Sequence, residues 1–211
     1  MPSSRWEAAL RRAGCVRIAG TDEVGRGCLA GPVVAAAVIL RPGARIPGLR
    51  DSKLLIPNKR RSLVRPILDA CEGWGVGAVS PAGIDRYNIR RASFRAMRIA
   101  IARIAAKGGG LDPDHVIVDG YRIPGLKIPQ TPLIKGDRKC RSVAAASVLA
   151  KVVRDRAMDR YHIRYPAYGF DHNRGYATPA HLDALERVGP CALHRRSFLP
   201  VQRAGQLNIP F

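Results

Sequence analysis

The chain has 211 residues, with 36 Lys and Arg against 16 Asp and Glu, a net charge of +20 and 46% hydrophobic residues. That length and apolar content suffice for the core of one domain and exclude a wholly disordered chain. A field of this sign draws polyanions, nucleic acid first and an anionic membrane surface second, although a general basic bias, with Arg predominating over Lys, would give the same balance. The longest apolar stretch, Leu29 to Leu40, is twelve residues interrupted by Gly31 and Pro32, short of the roughly 18–20 residues of a membrane span. The first residues, MPSSRWEAALRRAG, place charges where a signal peptide has its apolar core, so a cytoplasmic protein without a membrane partner is expected. Five cysteines (Cys15, Cys28, Cys71, Cys140, Cys191) without CxxC spacing predict free thiols.

In chain order, Cys15 to Asp22 and Pro32 to Leu40 have the apolar character of buried strands, with Gly25 to Gly31 turning between them as a hairpin. Pro57 opens a basic amphipathic helix reaching about Cys71, and Trp74 to Val79 alternates as a strand. A long helix is predicted from Pro81 to about Lys107, where Phe94, Met97, Ile101 and Ile104 recur at helical steps before the glycines at 108–110. His115 to Val118 is a short strand that delivers Asp119 at its end. Helices follow from about Lys139 to Tyr161 and, with Thr178 and Pro179 as cap and first residue, to Val188. Strands with interspersed helices make this an α/β chain. No repeat or flexible linker divides it, so we expect an extension over 1–14, one domain over 15–201 and a tail over 202–211.

The placement of so few acids is informative. Asp22 and Glu23 are adjacent at the end of an apolar run and lead directly into Gly25, Arg26 and Gly27; Asp119 ends a second run, and Asp137 follows in Ile-Lys-Gly-Asp. Any one of these suits a turn, a cap or an arginine partner. Together, carboxylates at strand ends can converge over one point of a sheet, and hard oxygen ligands select Mg²⁺ or Mn²⁺. Two such ions activate water and stabilise the leaving oxygen of a phosphodiester. The glycines let backbone approach a sugar-phosphate closely while Arg26 neutralises phosphate. Asp155, on a helix with Arg on either side, reads instead as a structural ion pair.

At this point the sequence resembles a known family. AGTDEVGRGCLAGPVVAAAVIL resembles the N-terminal signature of ribonuclease HII, and the likeness continues through DSKLL (51–55), IDRYNIRRASFRAM (84–97), VIVDG (116–120), IKGDRKCRSVAAASVLAKVVRDR (134–156), GFDHNRGYATPAH (169–181) and LHRRSFLPV (193–201). The resemblance implies an RNase H-like α/β fold, a central mixed sheet flanked by helices with a helical C-terminal region. It also implies an endoribonuclease that hydrolyses the RNA strand of RNA–DNA hybrids and cuts 5′ of single ribonucleotides in duplex DNA, leaving 5′-phosphate and 3′-hydroxyl ends. The family's four metal-binding acids fall on Asp22, Glu23, Asp119 and Asp137. Its ribose-contacting motif falls on Gly25, Arg26 and Gly27, and the tyrosine that stacks on the following deoxyribose falls on Tyr176. Lys53 is the first candidate for a phosphate contact, before Arg138 and Lys139. Two residues depart from the pattern: Cys28 stands where a proline or small residue is expected, which suggests sensitivity to thiol reagents, and Arg174 replaces a lysine.

Cys191 and His194 are the only tight pair among possible zinc ligands, too few for a site, and His194 reads as packing the C-terminal segment. Ser142 and Ser147 read as close-packing hydroxyls on an Ala-rich helix. The terminal Gln206, Leu207, Ile209 and Phe211 are similar to the short peptide by which bacterial replication and repair proteins bind the sliding clamp; packing on the chain's own domain is the alternative. The expectation is a monomer. The competing functional readings are a non-catalytic nucleic-acid-binding protein and a junction-resolving nuclease of the same fold class.

Overall fold

The unbroken run of Val, Ala, Ile and Leu suits a strand covered on both faces, and it forms β2 (Val33–Leu40), buried at every position. The computed structural model describes residues 1–107 and 112–207. On one side of β2 lies β1 (Ile18–Val24), antiparallel, with Asp22 opposite Ala36; on the other lies β3 (Cys71–Val79), also antiparallel. Next, β4 (His115–Asp119) runs parallel to β1, and β5 (Gln130–Leu133) parallel to β4. The result is a mixed five-stranded sheet in the order β3-β2-β1-β4-β5.

Alternate residues of β2 feed two separate cores. Val33, Ala35, Ala37 and Ile39 pack with Ala96, Met97, Ala100 and Ile104 of α4 (Ile89–Lys107). Val34, Ala36, Val38 and Leu40 pack with Ala144, Ala145, Val148 and Val152 of α6 (Arg141–Arg164) on the opposite face. Glycines set how closely the layers approach. A Cβ at Gly75 or Gly77 would overlap the carbonyl oxygens of Ala100 or Ala96, and one at Gly20 would overlap the α6 backbone at Ser142 and Val143.

The helix expected over 81–107 is interrupted. Asn88 adopts φ 63°, dividing it into α3 (Pro81–Tyr87) and α4; its side-chain oxygen accepts from the Arg91 amide at 3.0 Å and so starts the second helix. Asparagine suits both tasks because it tolerates the left-handed region and caps well. The first strand starts three residues later than expected and continues through Glu23 to Val24. The sequence reading omitted β5, whose QTPL run contains Pro132; an edge strand tolerates that proline because it is paired on one side. It also omitted α1 (Arg5–Arg12), within the expected extension. Buried Glu7 accepts from the Ser142 amide at 2.9 Å and ties α1 to the start of α6.

The remaining helices are α2 (Pro57–Ala70), the short α5 (Gly136–Lys139) and α7 (Phe170–Asn173), α8 (Pro179–Val188) and α9 (Leu199–Leu207). Thr178 caps α8 as expected. The helical C-terminal region has its own apolar cluster of Leu29, Ala30, Met158, Tyr168, Phe170, Leu185 and Val201. Helix α9 runs on to Leu207, so residues 202–207 continue the helix rather than form a separate tail. No helix among the described residues is long and apolar enough to cross a membrane, and the five cysteines are free thiols.

The tightness of the α4 contact is testable. Gly77→Ala should lower unfolding stability by about 1–3 kcal/mol, the usual cost of overpacking, measured as a lower urea midpoint at unchanged slope. An unchanged midpoint would show that the helix shifts without penalty.

Candidate active site

Asp22 and Asp119 meet because β1 and β4 are parallel and in register. Thr21 stands opposite Val118, so the next residue of each strand projects from adjacent ends of the sheet. Both lie on the α6 face, two residues beyond Gly20 and Ile117, which touch α6 at Ser142 and Val143. Asp137 arrives from α5. The close approach of that turn rests on Gly136, whose amide donates to Asp119 Oδ1 at 2.6 Å and whose Cβ, if present, would lie 3.2 Å from that oxygen. Asp22 and Asp137 are buried, at 5% and 4% exposure, and Glu23 and Asp119 are half-buried.

Mutual repulsion shapes the pocket. Burial raises the Asp22 carboxyl well above the ordinary carboxylate range, with the charges of Glu23, Asp119 and Asp137 adding to it against a hydrogen bond from Ser147. Burial likewise raises Glu23, opposed by Arg26 and reinforced by Asp119. It raises Asp137 too, with Asp119 and Asp51 adding and Lys53 opposing. Each acid has turned to a donor of the protein: Asp22 Oδ1 to the Glu23 amide at 2.7 Å, Glu23 Oε1 to Arg26 at 3.0 Å, and Asp137 Oδ2 to Lys53 Nζ at 3.7 Å. So disposed, no three His, Cys, Asp or Glu among the described residues converge closely enough to hold an ion. Glu23 Oε2 is buried without a hydrogen-bond partner. Hard carboxylate oxygens on one face, raised in proton affinity at Asp22, Glu23 and Asp137 and unsatisfied at Glu23 Oε2, suit a divalent cation in place of these protein donors.

The candidate substrate residues surround this pocket. Gly25, with φ 93°, begins the turn directly after β1, and Arg26 and Gly27 are exposed. Lys53 belongs to a single helical turn over Ser52–Leu54 whose cap is Asp51. Despite burial, Asp51 is held below the ordinary carboxylate value by the Lys53 amide and Arg138, each at 2.9 Å. Ser52 Oγ lies 2.9 Å from Ser147 Oγ, so the Lys53 turn is tied to α6 beside the acids. Asp51 and Ser147 are the neighbours of the acids that the sequence does not single out: in the DSK run the lysine is the conspicuous residue, and Ser147 meets Ser52 from α6. Ser142 does pack, against Gly20.

Tyr176 is 40% exposed, with Lys151 Nζ 5.8 Å from its ring centre. Cys28 lies beneath it, wholly buried, and burial raises its thiol; the expected sensitivity to thiol reagents is therefore corrected, since neither access nor thiolate is provided. His181 and His194 form a buried relay: His181 Nδ1 lies 2.7 Å from the Tyr176 carbonyl, the two Nε2 atoms are 3.1 Å apart, and His194 Nδ1 accepts from the Cys191 amide at 3.0 Å. Each ring nitrogen has a partner if both imidazoles are neutral, His194 Nδ1 meeting the Cys191 thiol as well as its amide, which agrees with burial lowering His194 to about 4. His194 thus packs the C-terminal segment, as expected. Asp155 pairs with Lys151 at 2.7 Å and Arg60 at 3.6 Å, not with the arginines next to it in sequence.

A mixed sheet in this order, covered by helices on both faces, belongs to the ribonuclease H-like class of α/β folds. The sequence pattern of the Ribonuclease HII family matches residues 19–201. The Ribonuclease HII of Moorella thermoacetica is 54% identical over 193 residues, covering 92% of this chain and 91% of that one. Among solved structures, the PCNA:RNase HII complex from Archaeoglobus fulgidus aligns at TM-score 0.69 and 28% identity over 87% of this chain and 95% of that one. Bst-RNase HIII in complex with Mn²⁺ aligns at TM-score 0.75 and 20% identity over 95% and 73%. The chain belongs to the ribonuclease HII family. It is a metal-dependent endoribonuclease of the ribonuclease H type, acting on RNA–DNA hybrids.

A carboxyl raised by folding destabilises the folded chain once ionised, so the metal-free protein loses stability as pH rises from the ordinary carboxylate range through the raised values. Asp22→Asn removes one such charge. In chelator at pH 7 its melting temperature should exceed that of the unmodified chain by about 2–4 °C, and Mn²⁺ should raise it less. A lower melting temperature with an undiminished Mn²⁺ response would contradict this electrostatic picture.

Proposed function

We propose that the enzyme cuts duplex DNA on the 5′ side of an embedded ribonucleotide, as well as the RNA strand of longer hybrids, leaving 5′-phosphate and 3′-hydroxyl ends. The observation that carries this reading is the meeting of Asp22 and Asp119 at adjacent parallel strand ends, with Glu23 and Asp137 beside them and the Gly25–Gly27 turn leaving the same strand. Asp22, Glu23, Asp119 and Asp137 would hold a pair of Mg²⁺ or Mn²⁺ ions. When bound, such ions supply a water of lowered pKa for attack and neutralise charge growing on the departing 3′-oxygen.

The chain's own residues provide selection and alignment. The Arg26 and Gly27 amides belong to exposed residues and would meet a ribose hydroxyl, a group that distinguishes RNA from DNA. Tyr176 offers an exposed ring edge against the next sugar, where crowding would exclude a second 2′-hydroxyl. Lys53 is 77% exposed at its side chain while within 3.7 Å of Asp137, so it can exchange that carboxylate for the scissile phosphate when cations neutralise the pocket. Net charge supplies salt-sensitive attraction for the duplex without sequence preference.

The same reading makes the enzyme a cytoplasmic monomer that reaches its substrate through the DNA sliding clamp. The Archaeoglobus relative was solved with PCNA, and Gln206 is exposed near the end of α9. The Leu207 side chain, Ile209 and Phe211 lie outside the described residues.

A duplex with one internal ribonucleotide tests the proposal. Cleavage should occur only 5′ of that nucleotide, require Mg²⁺ or Mn²⁺, and fall more than about 100-fold in Asp119→Asn, beyond the usual cost of losing an outer-shell partner of a metal. Equal cleavage of the all-DNA duplex, or undiminished turnover by the variant, would contradict it.

A further inference from the structure

Arg154 and Arg195 are wholly buried, and neither forms a salt bridge among the described residues. A guanidinium is stable in such a place only where main-chain carbonyls satisfy its fixed fork of donors. Arg195 donates from Nη2 to the Gly25 carbonyl at 2.6 Å, from Nη1 to the Arg26 carbonyl at 2.8 Å, and from Nε and Nη2 to the Gly31 carbonyl at 3.1 and 3.0 Å. Its own backbone is fixed beside the same turn. The Arg195 amide donates to Leu29 at 2.8 Å, and the Gly31 amide donates to Leu193 at 2.9 Å. The Phe198 ring centre lies 5.2 Å from the guanidinium carbon.

Arg154 holds the other side of the turn. It donates to the carbonyls of Pro32 at 2.9 Å, Ala30 at 3.1 Å and Arg174 at 2.9 Å, the last placed two residues before Tyr176. A Cβ on Gly25 would overlap this guanidinium.

The consequence lies in the peptide planes. In a trans peptide the carbonyl and the following amide point in opposite directions. With the Gly25 and Arg26 carbonyls drawn inward to Arg195, the amides of Arg26 and Gly27 must point outward. Both residues are exposed, and neither amide donates to another group among the described residues.

We propose that Arg195, supported by Arg154, is a positioning residue for sugar selection: it holds the Gly25 and Arg26 carbonyls inward and so presents two backbone donors to the 2′-oxygen of a ribonucleotide. This rests on the reading of the Gly25–Gly27 turn as the ribose contact. Arg195 makes no hydrogen bond to Asp22, Glu23, Asp119 or Asp137, which separates its action from metal binding. Lysine at 195 would keep the charge but lose the planar fork that holds three carbonyls at once.

The test compares kcat/KM on duplexes containing one ribonucleotide or one 2′-deoxy-2′-fluoro nucleotide, whose fluorine is a poor acceptor. The unmodified enzyme should favour the ribonucleotide, and Arg195→Lys should reduce that preference about tenfold, the worth of roughly one hydrogen bond. The Mn²⁺-induced rise in melting temperature should stay unchanged. If Arg195→Lys does not fold, Phe198→Leu, which removes the ring beside the guanidinium but keeps its donors, should reduce the preference about threefold. An unmodified enzyme indifferent to fluorine would overturn the ribose-contact reading itself. A clear preference that survives in the folded variant, with both rates falling equally, would overturn only the role assigned to Arg195.

Discussion

Repulsion among four closely set carboxylates is the constraint around which the site is organised. Backbone pairing puts Asp22 and Asp119 at adjacent strand ends, and the Gly136 turn brings Asp137 against them. Solvent screens Asp22 and Asp137 poorly because both are buried. The raised proton affinities of Asp22, Glu23 and Asp137 follow first from burial and then from the charges that the sheet topology sets beside them. The +20 charge of the chain acts over longer distances, and among the described residues only Lys53 and Arg26 form ion pairs with the four acids. In the proposed reading a divalent cation would relieve the repulsion that these ion pairs leave in place.

The arrangement also explains how attraction and discrimination can be separate in one small domain. Exposed arginines attract any duplex, whereas in the proposed reading identity is read at the Gly25–Gly27 turn, whose backbone is fixed from below by Arg195 and Arg154. Burial at that turn reverses the usual placement of charge. Guanidinium groups sit inside against carbonyls, and the free amides face outward. The histidine relay under Tyr176 contributes similar rigidity while neutral, linking the α8 region to the segment that carries Arg195.

Much of this was legible in the sequence because the informative residues have local signatures. A carboxylate at the end of an apolar run marks a strand end, and scarcity of acids made Asp22, Glu23, Asp119 and Asp137 conspicuous. The strands β1 to β4 and helix α6 followed from periodicity with shifts of a few residues. Where local pattern and long-range structure part, the reading failed. Asn88 lies within an apolar helical pattern yet breaks it through its own side chain, and β5 is defined by its neighbour rather than by its residues. Ser147 and Asp51 act through contacts made 95 and 87 residues away. The paired arginine in LHRRSF was visible, but nothing in a one-dimensional pattern distinguishes a guanidinium that binds main-chain carbonyls from one in solvent.

The most direct measurement of the central claim is anomalous diffraction from crystals of the protein soaked in Mn²⁺. The account predicts manganese peaks about 2.1 Å from carboxylate oxygens, drawn from Asp22, Glu23, Asp119 and Asp137, with Asp119 Oδ1 released from the Gly136 amide and Glu23 released from Arg26. Peaks confined to other surfaces, with the four acids still held by their present protein donors at saturating Mn²⁺, would contradict it.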